Sequence, residues 1–252
     1  MSFTVGAEAY DRFMGRYSIP LGRLFADQAR VAAGQRVLDV GCGPGALTGE
    51  LVARVGADAV TAVDPAEQFV SAARDRHPGV RVEQSSAERL PFPDESFDAA
   101  LAQLVVHFMQ DPVAGLTEMA RVTVDGGTVA ACVWDHAGGT GPVSVFWAAA
   151  RELDPDVMDE SDLAGAREGH LSELLAAAGL REIEETHLAV TAEHPTFEAW
   201  WEPFELGVGP AGDHAARLGP EERNELRERC RAMLPAAPFT LTVRAWSALG
   251  VV

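Results

Sequence analysis

Three glycines, Gly41, Gly43 and Gly45, stand two residues apart in the string VLDVGCGPGALT, and Asp39 lies two residues ahead of the first. An apolar run precedes them and a helical run follows at once, so they occupy a strand-to-helix turn. Glycine is needed where a ligand presses against backbone or where φ must be positive. The dinucleotide fingerprint has the spacing GxGxxG and sets a pyrophosphate on the helix N-terminus; the spacing here is GxGxG. Asp64 ends the next apolar run, in TAVDPAEQF, 23 residues beyond Gly41. An acid there can accept hydrogen bonds from both hydroxyls of a ribose, and it can also cap the following helix. His107 follows the fourth strand, at the edge where such sheets bind ligands. It is the candidate catalytic base, set against a histidine that only packs beside a ligand. The other histidines, His77, His136, His170, His187, His194 and His214, show no ligand spacing, and no chemistry is assigned to them.

These strings resemble a known family. The GxGxG turn with Asp39 ahead of it is similar to motif I of the class I S-adenosylmethionine-dependent methyltransferases, whose loop wraps a cationic amino acid and its ribose. Ser85 to Gln103, SSAERLPFPDESFDAALAQ, resembles a segment of the ubiquinone/menaquinone biosynthesis methyltransferases (methyltransferase type 11) that reads acid, Ala, Glu, LPF, then FD at the next strand. QLVVHFMQDP and LTEMARVTVDGG resemble the family's later motifs. The resemblance is continuous from Arg36 to Trp134, and YDRFMGRY, Tyr10 to Tyr17, adds an N-terminal segment that closes over the cofactor in many relatives.

The resemblance implies an α/β fold, a Rossmann-like, doubly wound, mostly parallel seven-stranded sheet with helices on both faces. It implies a methyl group taken from S-adenosylmethionine, leaving S-adenosylhomocysteine, with no metal. The implied cofactor-binding set is Tyr10, Arg16, Asp39, Gly41, Cys42, Gly43, Gly45, Asp64, Pro65, Phe69, Ser86, Ala87, Glu88, Gln103 and Leu104. Ser86 stands where relatives carry the acid that binds the adenine amino group. Its hydroxyl accepts that bond more weakly than a carboxylate, and the Ala87 backbone can serve beside it. Methyl transfer releases a neutral thioether, so the main task is to hold the nucleophile in line and exclude water.

The elements that must position these residues follow from the alternation of short β-rich and helical runs between Arg36 and Ala131. Strands are expected at Arg36 to Val40, Ala59 to Val63, Val80 to Gln84, Phe97 to Ala102 and Thr128 to Trp134. Helices are expected at Ala46 to Val55, Ala66 to Arg74 and Val113 to Val122. The last is capped by Asp111 with Pro112 at its first position, and Gly126-Gly127 forms the turn after it. Further on, a helix is expected at Glu168 to Ala178, and strands at Ile183 to Thr191 and near Phe239 to Leu249. The whole chain, 1–252, reads as one domain interrupted by two insertions at about 138–167 and 196–236. Nothing in the motifs supplies an acceptor pocket, so the insertions are expected to form a substrate lid, with Trp147, Trp200 and Trp201 as apolar walls. The same aromatic stripes suit helix packing or a dimer interface.

Composition narrows the chemistry. The net charge is −18, and all 20 basic residues are arginine. The absence of lysine removes Schiff-base chemistry, the P-loop lysine and the Tyr-x-x-x-Lys pair of short-chain dehydrogenases. So acidic a chain repels phosphate backbones and anionic lipid, and no apolar run is long enough to span a bilayer. The expectation is a cytoplasmic monomer or homodimer that partners a small, apolar or aromatic methyl acceptor, with no nucleic acid and no membrane. Cys42, Cys132 and Cys230 lack CxxC spacing, so neither a disulfide framework nor a zinc site is indicated. Arg223, Arg227 and Arg231 lie on one helix stripe beside Glu225 and Glu228, as a solvated face does. The competing readings are a catalytically silent S-adenosylmethionine-binding regulator and a nicotinamide-dependent oxidoreductase.

Overall fold

The computed structural model describes residues 11–252. Seven strands form one sheet: β1 (Val37–Val40), β2 (Val60–Asp64), β3 (Arg81–Gln84), β4 (Phe97–Gln103), β5 (Thr123–Trp134), β6 (Arg181–His194) and β7 (Phe239–Val251). Their order is β3-β2-β1-β4-β5-β7-β6. The first five run parallel, and β7 lies antiparallel between β5 and β6. The doubly wound seven-stranded expectation is therefore met. Side chains alternate across the sheet with period two. Val37, Ala99 and Leu101 join a core with α1 (Arg16–Gln28), α2 (Ala46–Val55) and α3 (Glu67–Arg76), while Leu38, Ala100 and Ala102 face α4 (Pro112–Val122) and α6 (His170–Ala177).

Strand order reverses between β1 and β4, so the loops leaving these two strands diverge and open a crevice at their C-terminal ends. The glycine loop leaves β1 and Leu104 leaves β4, which puts both at that crevice. The helix α1 was not legible as one, because Pro20 and Gly22 argue against it. Pro20 lies inside the helix and forfeits one backbone hydrogen bond, and the stripe of Tyr17, Leu21 and Phe25 buried against the sheet offsets that loss. The glycine pair at 126–127 is not a turn ahead of a strand but lies inside β5, which begins directly after α4. There the β4–β5 register jumps from Phe97↔Thr123 to Ala99↔Thr128, a bulge that the positive φ of Gly126 permits. The first insertion carries α5 (Ser144–Leu153), and the second carries α7 (Phe197–Glu205), α8 (Gly209–Arg217) and α9 (Pro220–Met233).

Those helices share a core of their own. Phe146, Trp147, Trp200, Trp201 and Phe204 are buried together, with Phe146 stacked on Phe204 at 4.7 Å. The aromatic stripes are packing within the insertions, and their burial withdraws Trp200 and Trp201 from a dimer surface. The arginine stripe is a solvated face only in part: Arg227 and Arg231 pair with Glu198 and Glu228 and tie α9 to α7, while Arg223 is half-buried and donates to the Ala215 and Leu218 carbonyls at the end of α8. The β6–β7 ladder outruns the rest of the sheet. Its pairing continues to His194↔Phe239, whereas the β5–β7 ladder stops at Trp134↔Ala245.

Candidate functional site

The crevice beyond β1 and β4 is a cleft of about 430 Å³. Of the expected cofactor-binding residues, Asp39, Gly41, Cys42, Gly43, Asp64, Pro65, Phe69, Gln103 and Leu104 line it. The loop that begins it turns through three left-handed glycines, with φ of +71°, +53° and +95° at Gly41, Gly43 and Gly45. A methyl at Gly41 would collide with Val105. The loop is held from below, since the Gly41 and Cys42 amides both donate to the Val63 carbonyl, at 2.8 and 2.9 Å. It is held from the side by Asp64, whose Oδ2 accepts from the Gly43 amide and whose Oδ1 accepts from the Ala66 amide, each at 2.9 Å. Asp64 thus ties the glycine loop to the start of α3, and each of its oxygens keeps a lone pair free.

Asp39 is buried and accepts from Thr48 Oγ1 at 2.6 Å. Burial is the main influence on it and pushes its carboxyl up to about 7; the Thr48 hydrogen bond opposes the shift and the Asp64 charge adds to it. Burial also raises Asp64. Burial and the charges of Asp39 and Asp64 raise the Cys42 thiol, which leaves it protonated and unreactive. No arginine or histidine side chain lines the cleft among the described residues. Two carboxylates without a cation make a pocket complementary to positive charge. Ser18 Oγ and Gln103 Oε1, which also face this region, are buried with no partner among the described residues. A ligand with donor groups would complete both.

The other expected residues lie elsewhere. Gly45 sits behind the loop, where its carbonyl contacts His77 Nε2 at 2.8 Å. Arg16 contacts His194 Nδ1 at 3.0 Å and borders a separate small crevice with Phe13 and Trp200. A guanidinium can only donate, so Nδ1 accepts, and the neutral ring gives its Nε2 proton to Tyr17 Oη at 2.8 Å. Ser86, Ala87 and Glu88 are not among the lining residues. Ala87 packs in the core beside Gly115, and Glu88 accepts from the Gln110 amide. Tyr10 lies outside the described residues. The side chains that sequence reasoning missed include Ser18, which lies outside every motif and arrives through α1, and Gln68 and Phe108, which lie inside quoted strings but were not singled out and arrive through α3 and the turn after β4.

Among known proteins, residues 38–131 match the family described as Methyltransferase domain. The demethylmenaquinone methyltransferase of Clavibacter sepedonicus is 30% identical over 232 residues, which cover 83% of this chain and 89% of that protein. The chain belongs to the methyltransferase domain family. A malonyl-acyl-carrier-protein O-methyltransferase of Erwinia billingiae is 34% identical over 128 residues, 51% of this chain and 50% of that one. The matched region thus spans about half the length of several of the curated relatives. The crystal structure of the YcgJ protein from Bacillus subtilis superposes with a TM-score of 0.56 at 22% identity, over 93% of this chain and 97% of that one, an agreement of fold.

In this methyltransferase-family chain a second, smaller chamber of about 40 Å³ adjoins the cleft, and Leu104 and Phe108 line both. Leu104 has φ +61°, a left-handed conformation that costs about 1–3 kcal/mol in a bulky residue and recurs where a site imposes it. His107 is on the short 3₁₀ turn Val106–Phe108 and reaches this chamber, not the cleft. It is joined there by His136, just past β5, and by Glu160, from the first insertion. Burial, reinforced by His136, pushes His107 down to about 3. Burial pushes His136 down to about 4 and Glu160 up to about 7. The expectation that His136 carries no chemistry rested on sequence spacing, and only tertiary structure brings its ring to 6.0 Å from that of His107. The chamber's outer wall comes from both insertions, as Val143, Val208 and Ala211, and not from Trp200 or Trp201.

Proposed function

We propose that this protein transfers a methyl group from S-adenosylmethionine to a small, largely apolar or aromatic acceptor, and that the 1–252 chain acts as one catalytic unit with its two insertions as the acceptor-side lid. The observation that carries the reading is the cleft with two buried carboxylates and, among the described residues, no basic side chain. Such a site suits a sulfonium and an ammonium and disfavours the pyrophosphate of a nicotinamide cofactor. Bound there, S-adenosylmethionine would supply an electrophilic methyl on a cationic sulfur. Asp39 and the glycine loop would hold its amino-acid end. Asp64, with lone pairs left over, would accept from the ribose hydroxyls, and Ser18 and Gln103 would find the partners they lack. The chain's own contribution to rate is then orientation and exclusion of water, to which the apolar chamber walls are suited. His107 lines the acceptor chamber, and because burial pushes it down to about 3 it can take a proton only from a nucleophile that the transfer itself has made strongly acidic.

Thermal unfolding with S-adenosylmethionine and S-adenosylhomocysteine tests the donor. Ligand at 100 times its Kd stabilises the fold by about 2.7 kcal/mol, and Asp64→Ala should reduce that gain at equal ligand. A melting temperature indifferent to both ligands at millimolar concentration refutes the assignment. With an acceptor in hand, His107→Ala should lower kcat by about 10² while S-adenosylhomocysteine affinity holds. A parallel loss of affinity would make His107 a wall of the site.

A further inference from the structure

The chamber beside the cleft is apolar except for one cluster. Neither ring nitrogen of His136 has a hydrogen-bond partner among the described residues, and His107 Nδ1 has none. Each such buried group costs about 1–3 kcal/mol when left unpaired, so three at one place point to something that pairs them. The surrounding charged groups do not. Asp135 is engaged by the Gly138 amide, Thr140 Oγ1 and Trp246 Nε1. Asp159 pairs with Arg151. Glu160 Oε2 accepts from Trp147 Nε1 at 2.7 Å, which fixes the carboxylate and leaves Oε1 at 3.9 Å from His136 Nε2. That gap is too wide for a direct hydrogen bond.

A hydroxyl group fits the cluster better than an ether or a ketone, because it donates and accepts at once through one atom. It can give its proton to Glu160 Oε1 and accept from His136 in the tautomer that carries its proton on Nε2. An ether or ketone cannot donate. The chamber's 40 Å³ has room for about three water-sized groups, enough for the end of a ring and not for a whole acceptor. We infer that His136 and Glu160 form a recognition subsite for a phenolic or enolic hydroxyl at one end of the acceptor, with the rest of that molecule lying toward Leu104 and Phe108 and the cleft. This rests on the methyltransferase reading for the word acceptor, and the subsite itself is testable without turnover.

The experiment titrates phenol and anisole into the full-length protein, with and without saturating S-adenosylhomocysteine, and follows the ring signals of ¹⁵N-labelled histidine by NMR. Phenol should shift His136 and bind about tenfold more tightly than anisole, whose methoxy group cannot donate. Two variants locate the preference. His136→Phe removes both nitrogens at similar volume. Glu160→Gln keeps an amide oxygen for Trp147 and so turns its NH₂ toward His136, where it cannot accept. In either variant the preference should fall to about twofold or less, with S-adenosylhomocysteine affinity unchanged as the check on folding; if one variant misfolds, the other decides. Equal binding of the two probes, no binding of phenol, or a preference retained in the folded variants overturns the subsite. Absence of S-adenosylhomocysteine binding in the wild type would instead overturn the cofactor reading, and the probe ratio without it still decides the subsite.

Discussion

Asp39→Asn should make the ligand-free protein more stable at high pH while weakening cofactor binding. Asp39 sits in β1 with its carboxyl buried, and its pKa is pushed up to about 7 from an ordinary value of 3.8. Because the folded-state value is the higher one, the folded chain holds a proton that the unfolded chain has released between those two pH values. Stability therefore falls as pH rises from about 4 to about 7, and it levels off above. Three pH units at 1.36 kcal/mol each give about 4 kcal/mol as the order of magnitude. Asparagine keeps an oxygen for Thr48 but cannot ionise. The unfolding free energy of the variant minus that of the wild type should rise by about that amount between pH 4 and pH 8, as groups common to both proteins cancel. Urea unfolding of the ligand-free proteins across that range measures it, and calorimetric titration with S-adenosylhomocysteine at pH 8 shows the accompanying loss of affinity. A stability difference flat with pH would show that Asp39 is not held protonated by burial. An unchanged affinity would remove it from the site.

Two further outcomes follow from the packing around the cleft. Gly41→Ala combines a left-handed φ with a collision against Val105, so it should destabilise the fold by about 2–5 kcal/mol, and adding Val105→Ala should recover part of that; a melting temperature within 1 °C of wild type would contradict this. Arg121 ties the segment before β4 to α4 by donating to the Leu90 and Phe92 carbonyls and to Asp94 and Glu118. Arg121→Ala should lower the unfolding free energy in urea by about 1–2 kcal/mol, and a change below 0.3 would mean that solvent replaces those bonds fully.

The half of the molecule that builds the cleft was legible because its signals are local. Buried parallel strands read as short apolar runs, a left-handed loop demands glycine, and an acid ending the neighbouring strand falls at a fixed distance along the chain. Asp111 and Pro112 open α4 as read, with the Asp111 side chain accepting from the Ala114 amide. The chamber was not legible. His107, His136 and Glu160 come from three separate segments, and their meeting depends on how the first insertion folds back past β5, which no periodicity encodes. The tryptophans misled as pocket walls for a related reason. An aromatic stripe at helical spacing states that a face is buried, and here α5 and α7 bury it against each other. The residues reaching the chamber instead are the small ones at 208–211, at the start of α8.

The overhanging β6–β7 ribbon has an evolutionary consequence. Segment 195–238, with its three helices, departs from His194 and returns at Phe239, which stand opposite each other in the ladder. Both ends of this cassette are thus anchored by one pair of strands, beyond the point where β5 stops pairing with β7. The entropy of closing a loop on fixed ends grows only slowly with its length, so such a ribbon can accept cassettes of other sizes without disturbing the strands that carry Asp39 and Asp64. What sits over the chamber can thus be exchanged between two residues that are neighbours in space, with the donor-binding half left unaltered.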